Sequence, residues 1–250
     1  MLSPGPSEGV RAEKERIRRA VWRALLEKGV ARPPFPIEGR IPNFAGAEKA
    51  AQRLVGERIF QEAEVVFCNP DSPQKPVREA VLRHGKLLVM ASPRLRSGFI
   101  VLDPKRIDAK RYSYAATIRG AFLYGELRRD NVPPIDLKVA GSVAVDPKGG
   151  RVGKGGGYSD LEYAILRELG LVDEDTPIVT TVHDLQVVER VPMAEHDVPI
   201  DWIFTPTRTI RCERDRRRPP GVIWEILPES ELRAIPILQE LRTRRGLAKP

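Results

Sequence analysis

The stretch RVGKGGGYSDLEYAILRELG, residues 151–170, places four glycines and a lysine in five consecutive positions. Glycine lets main-chain amides approach an anion closely, and Arg151 and Lys154 add positive charge. The preceding residues, GSVAVD (141–146), read as a strand. The following residues, SDLEYAILRELG, read as a helix capped by Ser159 or Asp160. At such a junction the first helical amides lack partners and the helix dipole favours negative charge. The chemistry these residues suit is the holding of a phosphate chain. The bland alternative is a loose connecting loop.

The spacing departs from two common phosphate loops. A Walker loop needs four residues between its first glycine and Gly-Lys, followed by Ser or Thr. Here only three residues separate Gly149 from Gly153, and Gly155 follows Lys154. The dinucleotide fingerprint fails because Tyr158 occupies the place of its third glycine.

The elements that must position this loop alternate along the chain. Residues 1–10 read as a flexible tail, and 11–29 as a helix with apolar Ile17, Ala20, Val21, Ala24 and Leu25 at spacings of three and four. Helices are expected at 47–62, 76–84 and 161–169, with a closing helix at 230–246 interrupted at Pro236. AEVVFCN (63–69), KLLVMAS (86–92), GFIVLD (98–103) and TPIVTTVH (176–183) read as strands, with one or two more in 136–146. Residues 198–212 read as a strand pair or one bent strand. Apolar strands alternating with helices predict an α/β fold: a mostly parallel sheet flanked by helices on both faces, three layers in all. In such sheets ligands gather at the carboxyl ends of the strands. The domain is expected over 11–212, and 213–250 as a C-terminal extension whose helix packs on it.

With 250 residues and 41% hydrophobic content, the chain can bury a sizeable core. No apolar run is long enough to span a bilayer, and the N-terminus has no apolar stretch of a signal peptide. Cys68 and Cys212 lie far apart, and with three scattered histidines they have no metal-site spacing. A reduced, cytoplasmic setting and no membrane partner are expected. The net charge of +8 suits an anionic small molecule or nucleic acid. The basic residues cluster once, at 208–221, where acids interleave as in a solvated loop.

R-x-G-K-G-G-G-Y-x-D followed by a helix, then VPMAEHDVPIDWIFTPT (191–207), resembles the 5-formyltetrahydrofolate cyclo-ligase family, also called methenyltetrahydrofolate synthetases. Lys14 and Arg18, four apart in the first helix, and HGKLLVMAS (84–92) are similar to further family segments. The resemblance covers most of 11–212. It implies ATP-coupled closure of a formamide: 5-formyltetrahydrofolate becomes 5,10-methenyltetrahydrofolate, with release of ADP and phosphate. In the family the formyl oxygen attacks the γ-phosphate and N10 then displaces phosphate, a reaction that needs positioning and charge neutralisation above all.

By this resemblance Arg151, Gly153, Lys154, Gly155, Gly156 and Gly157 line the triphosphate. Lys14 and Arg18 add charge from the first helix. Tyr158 packs at the loop's mouth, and Arg151, Lys154 and Tyr158 are the implied catalytic residues. Asp160 and Asp197 hold Mg²⁺. Each has a plainer reading: Lys14 and Arg18 as exposed residues pairing with Glu13 and Glu15, Asp160 as a helix cap, Asp197 as a turn residue, and Cys68 as a buried strand residue. The sequence departs from the family at Ser159, where a second tyrosine is usual, and at Leu161, where a basic residue is usual. After the first core strand, CNPDSPQKP (68–76) carries Asp71 as its only acid. These changes fall on the side of the reduced folate or pterin. The alternative function is that of a non-catalytic relative binding nucleotide or RNA through its basic surface.

Overall fold

The computed structural model describes residues 8–246. Most of the expected tail, residues 1–7, lies outside them, and helix α1 (Glu8–Glu27) already includes its last three residues. Two short strands, β1 (Ala31–Arg32) and β2 (Asn43–Phe44), pair antiparallel beyond it. The helix expected over 47–62 is split into α2 (Ala47–Gly56) and α3 (Arg58–Gln61), because Glu57 between them adopts an extended conformation. Next come β3 (Val65–Cys68), α4 (Lys75–Arg83), β4 (Leu87–Ala91) and β5 (Phe99–Leu102). Residues 104–128 give no clear sequence pattern. They form two helices, α5 (Tyr112–Ala115) and α6 (Ile118–Tyr124), and edge strand β6 (Glu126–Arg128).

The second half begins with β7 (Leu137–Ala140), followed by a hairpin of β8 (Ala144–Val145) and β9 (Arg151–Val152). Helix α7 (Tyr158–Glu168), β10 (Ile178–Thr181), β11 (Trp202–Phe204) and β12 (Thr209–Arg211) complete the sheet. Helices α8 (Glu229–Ala234) and α9 (Pro236–Arg244) close the described chain, with the expected break at Pro236.

The eight-stranded sheet has the order β12-β11-β10-β7-β3-β4-β5-β6. The run from β11 to β4 is parallel; β12 at one edge and β5 and β6 at the other are antiparallel. The 98–103 segment is thus a strand that returns against β4, as the short 92–98 connection requires.

Burial explains the three layers. All four residues of β3 are buried. Val65 and Phe67 pack with Tyr163, Ile165 and Leu166 of α7 and with Leu238 and Leu241 of α9. Val66 and Cys68 point to the opposite face, against Leu54, Phe60, Val77, Val81 and Ala121 of α2–α6. Side chains alternate along a strand, so a strand apolar at every position must be covered on both faces. A third cluster joins α1 to the β8–β9 hairpin through Ile17, Val21, Val143, Ala144 and Val152. The extension beyond 212 therefore belongs to the same core as α7.

One close approach carries a prediction. A Cβ on Gly120 would lie 1.9 Å from the Tyr114 carbonyl oxygen. In an open helix Gly→Ala stabilises by about 1 kcal/mol. Here the α5–α6 corner has no room, so Gly120→Ala is expected to destabilise by about 2–3 kcal/mol in urea unfolding.

Candidate active site

The glycine loop sits at the carboxyl edge of the parallel strands, between β9 and α7. Gly155, Gly156 and Gly157 are exposed, and among the described residues their amides donate to no protein acceptor. Gly155 (φ 110°) and Gly157 (φ 67°) hold backbone conformations that a side chain disfavours. Gly157 is the helix cap; neither Ser159 nor Asp160 caps α7 with its side chain. The expected cap is wrong because the left-handed glycine turns the chain into the helix and frees Asp160 for other bonds.

Arg151 is not part of the loop. It lies in β9, buried, with both Asp160 oxygens 2.6 Å from its Nη2 and the Gly141 carbonyl 3.1 Å from its Nη1. Asp160 Oδ1 also accepts the Val198 amide at 3.0 Å. Burial pushes the Asp160 carboxyl up, but the Arg151 guanidinium more than offsets this and holds it below the usual range. Asp197 pairs with Lys14 Nζ and accepts the Ala194 amide. Arg18 Nε donates to the Gly153 carbonyl at 2.8 Å, and its Nη1 reaches Glu15 at 3.2 Å. So α1 fastens the start of the loop.

These groups line one cleft of about 560 Å³. Its polar side includes Arg11, Lys14, Glu15, Arg18, Arg151, Gly153, Gly155, Gly156, Gly157, Asp160, His196 and Asp197. Lys154 and Tyr158 do not line it. Lys154 Nζ turns the other way, 2.8 Å from Asp71 Oδ1, and Tyr158 packs against the α7 core. The sequence-predicted residues therefore divide between two sides of the loop.

The Asp71 side contains residues that sequence reasoning missed. Asn69, just beyond β3, donates to Glu162 at 2.5 Å and accepts the Gly141 amide and the Ser159 hydroxyl, each at 3.0 Å. It ties β3, β7 and α7 together. The fully buried Arg78 clamps the same turn through the carbonyls of Asn69 (2.5 Å), Asp71 (2.9 Å) and Ala116 (2.7 Å). Lys138 lies beneath, 3.7 Å from Glu162 and over the Phe67 ring. Burial drives this pair towards neutrality, lowering the lysine and raising the glutamic acid. An asparagine directly after a buried strand, and a lysine inside one (LKVA), were the available signals. Cys68 is a core residue whose thiol burial pushes up to about 11.

Free amides, Arg18 and Lys14 fit a phosphate chain. Asp160 and Asp197 are each bonded to a cation, and the described residues contain no group of three metal-ligating side chains. That arrangement fits a Mg²⁺ held mainly by phosphate oxygens and water, touched by one carboxylate, and not a dedicated protein cage.

The family model for 5-formyltetrahydrofolate cyclo-ligases matches residues 10–206. The chain belongs to this family. It is similar to the methenyltetrahydrofolate synthase domain-containing protein of Bos taurus, 40% identical over 243 residues, covering 95% of this chain and 63% of that protein. The Homo sapiens protein of the same name is 39% identical over 241 residues, covering 94% and 63%. The chain thus spans a little under two thirds of these relatives' length. It is 33% identical over 82 residues to the 5-formyltetrahydrofolate cyclo-ligase of Escherichia coli K12, covering 32% of this chain and 42% of that enzyme. Among solved structures, the 5,10-methenyltetrahydrofolate synthetase of Aquifex aeolicus superposes with a TM-score of 0.51 at 22% identity. That match covers 84% of this chain and 98% of the other, a likeness of fold. No helix among the described residues is long and apolar enough to cross a membrane.

Proposed function

We propose that this chain is an ATP- and Mg²⁺-dependent cyclo-ligase that converts 5-formyltetrahydrofolate to 5,10-methenyltetrahydrofolate. The observation that carries the reading is the exposed run of unpaired glycine amides beside Arg18 and Lys14, in a chain of this family. When bound, ATP would supply the phosphoryl group that activates the formyl oxygen, and Mg²⁺ would neutralise phosphate charge. The chain's own part is positional. The unpaired loop amides would donate to the phosphate chain, and Arg18 holds the loop while facing the same cleft. Lys14, kept in place by Asp197, adds a second cation. Asp160 orients Arg151 at the cleft floor, and either Asp160 or Asp197 has a lone pair left for a phosphate-bound cation. Lys154, swung towards Asp71 across the loop, lies between the cleft and the Asn69 corner.

The reading is tested by mixing the protein with ATP, Mg²⁺ and 5-formyltetrahydrofolate. The methenyl chromophore and one ADP per product are expected; a flat absorbance trace sinks it. The alternative, RNA binding through the basic surface, loses its best patch to internal pairing. Arg208 pairs with Asp184, Arg214 with Glu174 and Asp201, and Arg218 with Asp201.

A further inference from the structure

The β6 edge of the sheet carries an apolar surface that the cleft does not use. Among the described residues seven large apolar side chains are exposed, and five of them, Tyr114, Ile118, Phe122, Leu123 and Leu127, fall within 114–127. Ile118 and Phe122 lie four apart on α6 and so share a helix face. Leu127 is the central residue of β6, an edge strand whose one partner in the sheet is β5. It stands opposite Ile100, and directly opposed residues share a sheet face. Ile100 packs into the α2–α6 side of the core, so Leu127 lies on the same side of the sheet as α6. A monomer seldom leaves so many large apolar side chains together in water.

The outer side of β6 is open. A hollow of about 570 Å³ lies against it, lined by residues 127–131 and Glu240. An uncovered edge leaves main-chain N–H and C=O groups able to pair with another strand. On the opposite face of the sheet, Glu126 and Arg128 stand beside Val101 and Phe99, which pack towards α7 and α9. Arg128 Nη2 lies 2.7 Å from Glu126 Oε2, and Glu126 also meets Arg106. The strand therefore reads acid, leucine, base, an order complementary to itself when run backwards. When two copies of β6 pair antiparallel about Leu127, each Glu126 faces the Arg128 of the other copy, and the two leucines meet. Four charges then alternate in sign on one face of the seam. The two-fold axis stands normal to the sheet, so both α6 helices, with their exposed apolar residues, come to the other face together.

We propose that this face binds a second copy of the chain, joining the two eight-stranded sheets edge to edge through β6. The inference does not rest on the cyclo-ligase reading. Strand β7, which leads into the cleft, is four strands from β6 in the sheet, about 19 Å away. Both clefts stay open, and turnover per chain should not depend on pairing. Opposite charges in register favour a second copy over a nucleic acid, which Glu126 would repel.

Sedimentation equilibrium of the whole chain, from about 1 to 100 μM, tests this. The unchanged protein should approach twice the 28.0 kDa of one chain. Leu127→Lys, and the double change Phe122→Ser, Leu123→Ser, should each weaken pairing by about tenfold or more. These side chains are exposed, so each variant should keep its fold and its circular dichroism. Glu126→Arg leaves two bases on the strand, and Arg128→Glu leaves two acids. Each of these variants alone should pair at least about tenfold more weakly, because like charges meet across the seam. An equimolar mixture of the two should pair again, within about threefold of the original affinity. The ion pairs lost inside each chain are exposed and weak, so both variants should fold. An unchanged protein that stays at 28.0 kDa throughout overturns the proposal. Pairing untouched by Leu127→Lys overturns it, and so do two charge variants that fail to pair when mixed. A monomer that binds a single-stranded oligoribonucleotide, and loses it on the Phe122→Ser, Leu123→Ser change, gives the face to nucleic acid and overturns it as well.

Discussion

Asp160→Ala is expected to cost the fold about 3–5 kcal/mol, the usual loss when a buried ion pair is broken by removing one partner. Arg151 would remain buried with the Gly141 carbonyl as its one remaining hydrogen-bond partner among the described residues and only the more distant Asp197 and Glu162 to meet its charge. For a chain of this length the melting temperature should fall by about 10 °C. The loss should be seen without ATP and Mg²⁺, because the pair is formed by the protein alone. Replacing both residues by apolar ones should restore much of it. A loss below about 1 kcal/mol would mean that Arg151 finds other partners, and the account of the cleft floor would fail. The pH dependence follows from the same pair. The folded carboxyl lies below its ordinary value, so its contribution is complete above about pH 4 and is lost as pH falls through the lower folded value. Acidification from pH 8 to 5 should leave this part of the stability intact, and the variant and parent stability curves should converge only in stronger acid.

The second large effect concerns activity. Arg18→Ala is expected to lower kcat/KM for cyclisation by about 10²–10³, the range found when one preorganised donor is removed from a developing charge. The side chain has two tasks, holding the Gly153 carbonyl and facing the cleft, and alanine removes both. Lys154→Ala should cost only about tenfold in ATP affinity, because its ammonium sits on an exposed pair with Asp71 outside the cleft wall. The reverse order in a side-by-side kinetic and calorimetric comparison would show that Lys154 swings into the cleft and that Arg18 only stiffens α1.

Much of the architecture was legible because strands covered on both faces leave a strong trace. VVFC and LLVMA are apolar at successive positions, and the chain punctuates them with Asn-Pro and Ser-Pro. The glycine loop was legible for a similar reason, since few folds place four glycines in five positions without a use. Side-chain direction was not. Arg151 reads as a loop cation because glycines surround it, yet β9 pairs with β8 and turns it inward to Asp160. Lys154 reads as facing a phosphate, yet Asp71, some eighty residues earlier in the chain, draws it to the other side. The roles of Asn69 and Arg78 are long-range bonds with no local pattern.

The sheet order has a bearing on how the protein is made. Strands β3 to β6 come from one continuous stretch, and β7 to β12 from the next; β3 and β7 alone join them, Val66 beside Leu137. Asn69 and Asp71 arrive with the first stretch, and Gly141, Ser159 and the glycine loop with the second. Closing so long a chain segment is slow, and local contacts form before it. As the polypeptide emerges from the ribosome, its early half must wait, with one flank of β3 unpaired, until β7 is released. Until that seam zips, no ligand-binding corner exists, so a nascent or truncated chain ending before α7 would be inert towards nucleotide and would expose the strand edge most prone to pairing with a neighbour.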